Sequence, residues 1–142
     1  MSRVDFYILA DAGESARHIF ACRLAEKAYR LKNSVHIRTD DRGLASRIDD
    51  LLWTFRDGSF VPHEIVGTQA TAEAPVTIGS SDNDSAAGGD LLINLCKDLP
   101  ANPAAFPRIA EIVSSDEDSR LHSRQRFAAY RDQGHSLDTH NI

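Results

Sequence analysis

The chain has 142 residues, a length typical of one globular domain, and it can bury a core without disulfides or bound metal. Its apolar content is 42% and its charged content 26%, and no apolar run approaches the roughly 20 residues that cross a bilayer. The formal net charge of −5 disfavours general binding to a phosphate backbone. We therefore predict no direct nucleic-acid partner and no membrane partner, and the lack of a leader pattern favours a cytoplasmic location.

The two cysteines and six histidines offer no metal-ligand pattern. Cys22 and Cys96 lie in separate apolar segments without a C-x-x-C pair, which favours two buried, reduced thiols. The histidines are scattered, and no predicted helix carries the His-x-x-x-His spacing that puts two ligands on one face. We expect neither a metal nor a cofactor.

The first half of the chain alternates strand and helix patterns. Residues 4–10 are a short apolar run that predicts a buried strand. Residues 14–31 carry apolar side chains at three- and four-residue spacings, which predicts a helix. A second strand is predicted at 34–39, and a second helix follows, capped by Asp40 or Asp41. This order is typical of βαβ units with a mainly parallel sheet.

The second half holds shorter elements and two irregular stretches. Residues 59–66 predict a strand or extended segment, and Pro62 argues against a central position because proline cannot donate to a neighbouring strand. Three further strands and a final helix are predicted at residues 75–79, 90–95, 108–113 and 116–133. Residues 79–89 predict a mobile loop, and 135–142 a C-terminal tail. We predict a single three-layer α/β domain over 1–142, with a mainly parallel sheet flanked by helices.

The first strand–loop–helix passage is where an α/β protein would bind a nucleotide phosphate. Here the loop has one glycine, Gly13, and two carboxylates, and it matches neither the P-loop nor the dinucleotide-binding glycine pattern. We therefore predict a Rossmann-like fold without a nucleotide-binding loop, and no catalytic residue. The alternative is a small nucleotide-binding or hydrolytic enzyme that uses the loop from Asp11 to Gly13. A ligand or ion in the cleft beside Asp11, Gly13 and Asp40 would favour that alternative.

The last predicted helix carries a basic stripe. Four side chains fall within about 60° of one another at 100° per residue: Arg120, Arg124, Phe127 and Arg131. Guanidinium groups pair with carboxylates in a bidentate way, and the ring offers an apolar surface beside them. This combination suits an acidic peptide with a hydrophobic end group. The alternative is a solvated charged face with Phe127 turned into the core.

A second candidate surface surrounds the only tryptophan of the chain. Trp53 ends the second predicted helix, and Phe60 follows a turn, next to the proline-restricted segment. Aromatic residues are frequent anchors of protein interfaces. The alternative is that both rings are core residues.

Taken together, these segments resemble the chi subunit family of bacterial DNA polymerase III over nearly the whole chain. The resemblance rests on residues 4–9 (VDFYIL), 51–53 (LLW), 59–63 (SFVPH), 90–95 (DLLINL) and 120–130 (RLHSRQRFAAY). Each segment alone is weak, and their order and spacing together are specific.

The resemblance implies a non-catalytic adaptor with an α/β fold that works at the replication fork. Chi proteins bind the psi subunit, which attaches them to the clamp loader. They also bind the acidic C-terminal tail of single-stranded DNA-binding protein (SSB), which ends in Pro-Phe. The resemblance places Trp53 and Phe60 on the psi-side surface, where a helicase is a further candidate partner.

The resemblance also implies a tail-binding surface. It assigns Val113, Arg124 and Phe127 to this surface, and the basic stripe adds Arg120 and Arg131. The agreement with the stripe favours a binding surface over a merely solvated face, because the stripe then has a partner of matching chemistry.

Two positions depart from the family pattern. Ala128 stands where the family can carry a lysine beside the tail site, so one attractive charge is missing here. Phe127 stands where a tyrosine is found, which removes a hydroxyl group and keeps the ring.

Overall fold

The computed structural model describes residues 2–66, 74–81, 84 and 88–142. Within them the strands are β1 (Arg3–Ile8), β2 (Val35–Arg38), β3 (His63–Ile65), β4 (Val76–Gly79), β5 (Leu91–Asn94), β6 (Arg108–Val113) and β7 (Ser136–Asn141). The helices are α1 (Glu14–Arg30), α2 (Arg42–Thr54) and α3 (Glu117–Asp132), with a short 3-10 turn at Pro103–Ala105. In the described part of the chain, no helix combines the length and apolarity needed to cross a membrane.

All seven strands form one sheet in the order β3-β4-β2-β5-β6-β1-β7, and every neighbouring pair is parallel. Helices α1 and α2 pack on one face and α3 packs on the other. The predicted three-layer α/β fold is therefore confirmed. Asp41, not Asp40, caps α2, because its carboxylate accepts a hydrogen bond of 2.8 Å from the Leu44 N–H.

Small residues of α1 build much of the core on the α1 and α2 face. Ala21, Cys22 and Ala25 are fully buried, and their short side chains let the helix lie close to the sheet. The predicted apolar face also included Leu31, but the helix ends one residue earlier and Leu31 is exposed. Cys22 and Cys96 are buried free thiols, as predicted. Burial raises the pKa of both thiols to about 12.

The outermost strand on one side is β3, which begins just after Pro62. Its position agrees with the expectation that proline confines this segment to a sheet edge. The predicted strand over 59–66 is shorter in the structure, where only His63–Ile65 pairs with β4. Part of the predicted loop at 79–89 lies outside the described residues, so its mobility stays a prediction.

The expected tail at 135–142 is wrong, because Ser136–Asn141 forms strand β7 and pairs with β1 in parallel over its whole length. Gly134 adopts a φ of 87°, a left-handed conformation that ends α3 and turns the chain back toward the sheet. Leu137 is the apolar side chain of β7 that packs on the core, and the strand is otherwise mostly exposed. An edge strand of this kind buries little, so its sequence lacks the apolar pattern that predicts a strand.

A buried carboxylate ties β7 to its neighbour. Asp5 of β1 is buried, and Nε2 of His140 lies 2.9 Å from one of its oxygens. The guanidinium groups of Arg3 and Arg108 lie 3.3 Å and 3.5 Å from the same carboxylate. Burial by itself would raise the pKa of Asp5, but the His140 hydrogen bond and the two guanidinium charges outweigh it. The pKa of Asp5 is therefore lowered from 3.8.

This lowered pKa predicts an acid-sensitive contribution to stability. A carboxyl group whose pKa is depressed by folding stabilises the native state above its ordinary pKa, and that contribution is lost as the pH falls through the folded value. We expect the free energy of unfolding to fall more steeply below pH 3.8 in the wild type than in Asp5→Asn. Denaturant unfolding across this pH range measures the difference, and parallel curves would contradict the assignment.

Candidate protein-binding sites

A cleft lies between α3 and the sheet at β1, β6 and β7, and we call it the α3 cleft. It has a volume of about 410 Å³. All five residues predicted for tail binding line it: Val113, Arg120, Arg124, Phe127 and Arg131. The structure therefore brings together a strand residue and a helical stripe that the sequence placed in separate elements.

The floor of the α3 cleft is apolar. Val113 of β6 lies opposite Ile8 of β1, and Phe6 and Ile8 both line the cleft. The Phe127 ring packs on Phe6 with centroids 5.3 Å apart and a tilt of 55°. Phe127 is half-buried, so it contacts the core with one side and lines the cleft with the other. A ligand's aromatic ring would bury apolar area on this floor.

The rim of the α3 cleft is positively charged. Among the described residues, neither Arg120 nor Arg124 has an ion-pair partner, and Arg131 is paired only with the exposed Asp132 at 3.6 Å. Unpaired guanidinium groups beside an apolar floor can form charge-assisted hydrogen bonds with a carboxylate. The cleft thus has the chemistry of a site for an anionic ligand with an apolar end.

Phe6 and Ile8 were not among the predicted site residues. The sequence does carry a signal for them: Phe6 and Ile8 lie two positions apart on β1, so their side chains share one face of the sheet. What the sequence could not show is that α3 leaves this end of the face partly open.

Trp53 and Phe60 form an exposed aromatic pair near β3, at the sheet edge opposite β7. Their side chains are 54% and 64% exposed, and the ring centroids lie 5.8 Å apart. The His63 ring packs on Trp53 at 4.7 Å. The alternative in which both rings are core residues is therefore wrong. Exposed aromatic rings cost hydration free energy in an isolated chain, which is typical of interface anchors.

The segment that carries Phe60 is irregular and depends on a buried carboxylate. Glu26 of α1 is buried, and it accepts a hydrogen bond from the Ser59 hydroxyl. The Arg56 guanidinium lies 2.9 Å from the same carboxylate, and that of Arg30 lies 3.7 Å away. These contacts hold the chain immediately before Phe60 against α1. Glu26 carries no sequence signal for this role, because a glutamate within a helix resembles a solvated surface residue.

The loop of the enzyme alternative has a different environment. The N–H of Gly13 donates a hydrogen bond of 2.7 Å to Oδ2 of Asp116, so a protein carboxylate stands where a phosphate oxygen would accept it. This hydrogen bond, followed by that of Ser114, lowers the pKa of Asp116. The adjacent cleft of about 630 Å³ is lined by five carboxylates: Glu14, Asp40, Asp116, Glu117 and Asp118. Arg17, Lys97 and Arg126 also line it, but Arg17 is paired with Glu14 and Arg126 with Glu111. Such a lining disfavours a nucleotide phosphate.

Comparisons with known proteins agree with this architecture and identify the family. The fold is similar to that in the crystal structure of T4 UvsW, with a TM-score of 0.66 and 8% identity over 99% of this chain and 41% of that one. The DNA polymerase III subunit chi of Pseudomonas aeruginosa is 40% identical over 142 residues, which cover 100% of this chain and 98% of that protein. The Escherichia coli subunit chi is 31% identical over 143 residues, covering 98% and 97% of the two chains. Because residues 1–138 also match the DNA polymerase III chi subunit (HolC) family, the chain belongs to that family.

Proposed function

We propose that this chain is a non-catalytic adaptor of the bacterial DNA polymerase III holoenzyme. It links the clamp loader to SSB on the template during DNA replication in the cytoplasm. Family membership and two separate exposed surfaces support the proposal. The observation that carries it is the α3 cleft, with its apolar floor and its rim of three arginines.

The ligand of the α3 cleft is the acidic, Phe-terminated tail of SSB. The terminal ring lies on the floor formed with Phe127 and Val113, where it buries apolar area. The terminal carboxylate accepts hydrogen bonds from Arg124, and exposed Arg120 and Arg131 attract the upstream aspartates through solvent. Calorimetric titration with a tail peptide, and with the same peptide lacking its terminal Phe, tests this assignment. Binding should require the Phe, and equal affinities for the two peptides would overturn it.

The psi subunit of the clamp loader binds the aromatic pair. Trp53 and Phe60 present two adjacent exposed rings that a hydrophobic partner would cover. The pair lies near edge strand β3 and the α3 cleft lies beside edge strand β7, so the sheet separates the surfaces. Both partners can then be held at once, which an adaptor requires. A helicase that competes with psi would use the same pair.

A single substitution tests the missing charge in the α3 cleft. Ala128 lines the cleft beside Arg124 and Arg131, so a lysine there adds an exposed positive charge near the acidic tail. We expect Ala128→Lys to tighten peptide binding by about twofold to fivefold at low salt, the effect of an exposed charge pair. The gain should shrink as the salt concentration rises.

The matched control is Ala128→Gln, which lengthens the side chain without adding charge. Titration of both variants at two salt concentrations separates charge from size. An equal gain for both variants, or a lysine gain that is indifferent to salt, would contradict the proposed position of the tail.

A further inference from the structure

A charged residue lies at the centre of the sheet. Glu111 of β6 is fully buried, between apolar neighbours on a strand that reads RIAEIV. One carboxylate oxygen accepts a hydrogen bond of 2.9 Å from Nε of Arg126. The other accepts one of 2.7 Å from the Tyr130 hydroxyl and one of 2.8 Å from the Asn94 amide. The carboxylate is therefore satisfied by three donors from two elements.

The network extends from this carboxylate into the chain that follows β5. Arg126 is buried and also donates to the carbonyl oxygen of Lys97 at 3.1 Å. The Asn94 amide donates to the carbonyl of Asp98 at 3.1 Å, and its oxygen accepts from the Cys96 N–H at 3.2 Å. Helix α3 is thus tied directly to β6 and to Lys97, and through Glu111 to Asn94.

Stability does not require such a network. Well-packed apolar residues of similar volume are often as stabilising as a buried ion pair, because charges are costly to remove from water. What directional hydrogen bonds add is one preferred arrangement of the packed elements. Burial, followed by the Glu111 charge, raises the pKa of Tyr130, so its hydroxyl stays a donor.

The two donors of α3 fix both the position of the helix along its axis and its rotation about that axis. Arg126 and Tyr130 lie one turn apart on its buried face, and both reach the same carboxylate. A shift of one residue along the helix rotates its side chains by 100° and would break both bonds. Arg124 and Phe127 belong to the same turns, on the side that faces the α3 cleft. Their positions over the cleft therefore depend on the same alignment.

We infer that Glu111, Arg126 and Tyr130 are positioning residues for the α3 cleft: they fix the rotation of α3 and so aim Arg124 and Phe127 at the ligand. This inference rests on the proposed binding of the SSB tail. None of the three positioning residues needs to contact the peptide, because the buried carboxylate acts through the helix that carries the contacts.

The most conservative test is Tyr130→Phe, which removes one hydroxyl and keeps the ring. We expect a loss of tail-peptide affinity of about threefold or more, measured by calorimetry well below the unfolding transition. The control is Ile48→Val, a comparable loss of stability in α2 on the other face of the sheet. Its peptide affinity should equal that of the wild type.

A second variant and a structural readout complete the test. Glu111→Gln keeps the shape of the side chain and removes its charge. It should lower the affinity for the tail peptide at least as much as Tyr130→Phe does. In two-dimensional NMR of Tyr130→Phe, amide signals of α3 should shift while those of α2 stay in place.

The possible results distinguish the inference from the function on which it rests. No binding of the peptide by the wild type would overturn both. Wild-type binding with an unchanged affinity in Tyr130→Phe would overturn the positioning role alone. An equal loss in Tyr130→Phe and Ile48→Val would also overturn it, because the effect would then follow from general stability.

Discussion

Replacing Arg124 with alanine is expected to weaken binding of the SSB tail peptide by about tenfold to a hundredfold. The reason is that Arg124 lines the α3 cleft without an ion-pair partner among the described residues, so its guanidinium group can bind the terminal carboxylate. A hydrogen bond to a charged group contributes roughly 1.5–3 kcal/mol, which corresponds to that range of affinity. Titration calorimetry of wild type and variant with the same peptide measures the difference.

Two further variants complete this test: one separates the bidentate geometry of the Arg124 guanidinium group from its charge, and the other is a control. Arg124→Lys keeps the charge and loses the bidentate geometry, so its affinity should fall between wild type and Arg124→Ala. Arg23→Ala removes an exposed arginine from α1, on the other face of the sheet, and should leave peptide binding unchanged. All affinities should fall as salt rises, since the rim is exposed. Equal affinities for wild type and Arg124→Ala would contradict the assignment of Arg124 as the main contact for the terminal carboxylate.

Truncation of Phe60 is expected to weaken association with the psi subunit by about 2 kcal/mol or more, a factor of about thirty. The fold should survive, because the Phe60 side chain is 64% exposed and contributes little to the core. Surface plasmon resonance with immobilised psi measures the affinity, and a denaturant curve of Phe60→Ala checks the fold.

Leu31→Ala is the matched control for this experiment. Leu31 is another exposed large apolar residue, 66% accessible, and we assign it to neither binding surface. Its variant should bind psi like the wild type. A loss of folding in Phe60→Ala without a selective binding defect would return Phe60 to a structural role. Equal losses in the two variants would show that general surface apolarity, not the aromatic pair, drives the association.

The layered fold could be predicted because its signals are local. Buried parallel strands are short apolar runs, and α1 and α2 show the three- and four-residue spacing of packed helices. Strand β7 escaped prediction because its formation depends on an unpaired edge of β1, which only the folded sheet creates. Leu31 was likewise not predictable from its spacing, because α1 ends one residue before it and leaves the side chain exposed.

The candidate sites were predictable to different degrees. The stripe from Arg120 to Arg131 follows from helical geometry, so its four residues share one face in the structure. Arg126 lies within the same run of arginines, yet it is buried against Glu111. The sequence signal for a buried arginine is a charged residue of opposite sign within a buried strand, and Glu111 is that residue. Only the packing of α3 on β6 shows which arginine pairs with that carboxylate.

The adaptor role is tested most directly by mixing the chain with psi and SSB from the same organism and measuring the molar mass by light scattering after gel filtration. The account predicts one species that contains all three proteins. Phe60→Ala should lose psi and keep SSB, and Arg124→Ala should lose SSB and keep psi. Two mutually exclusive binary complexes, or the loss of both partners in either variant, would contradict the account.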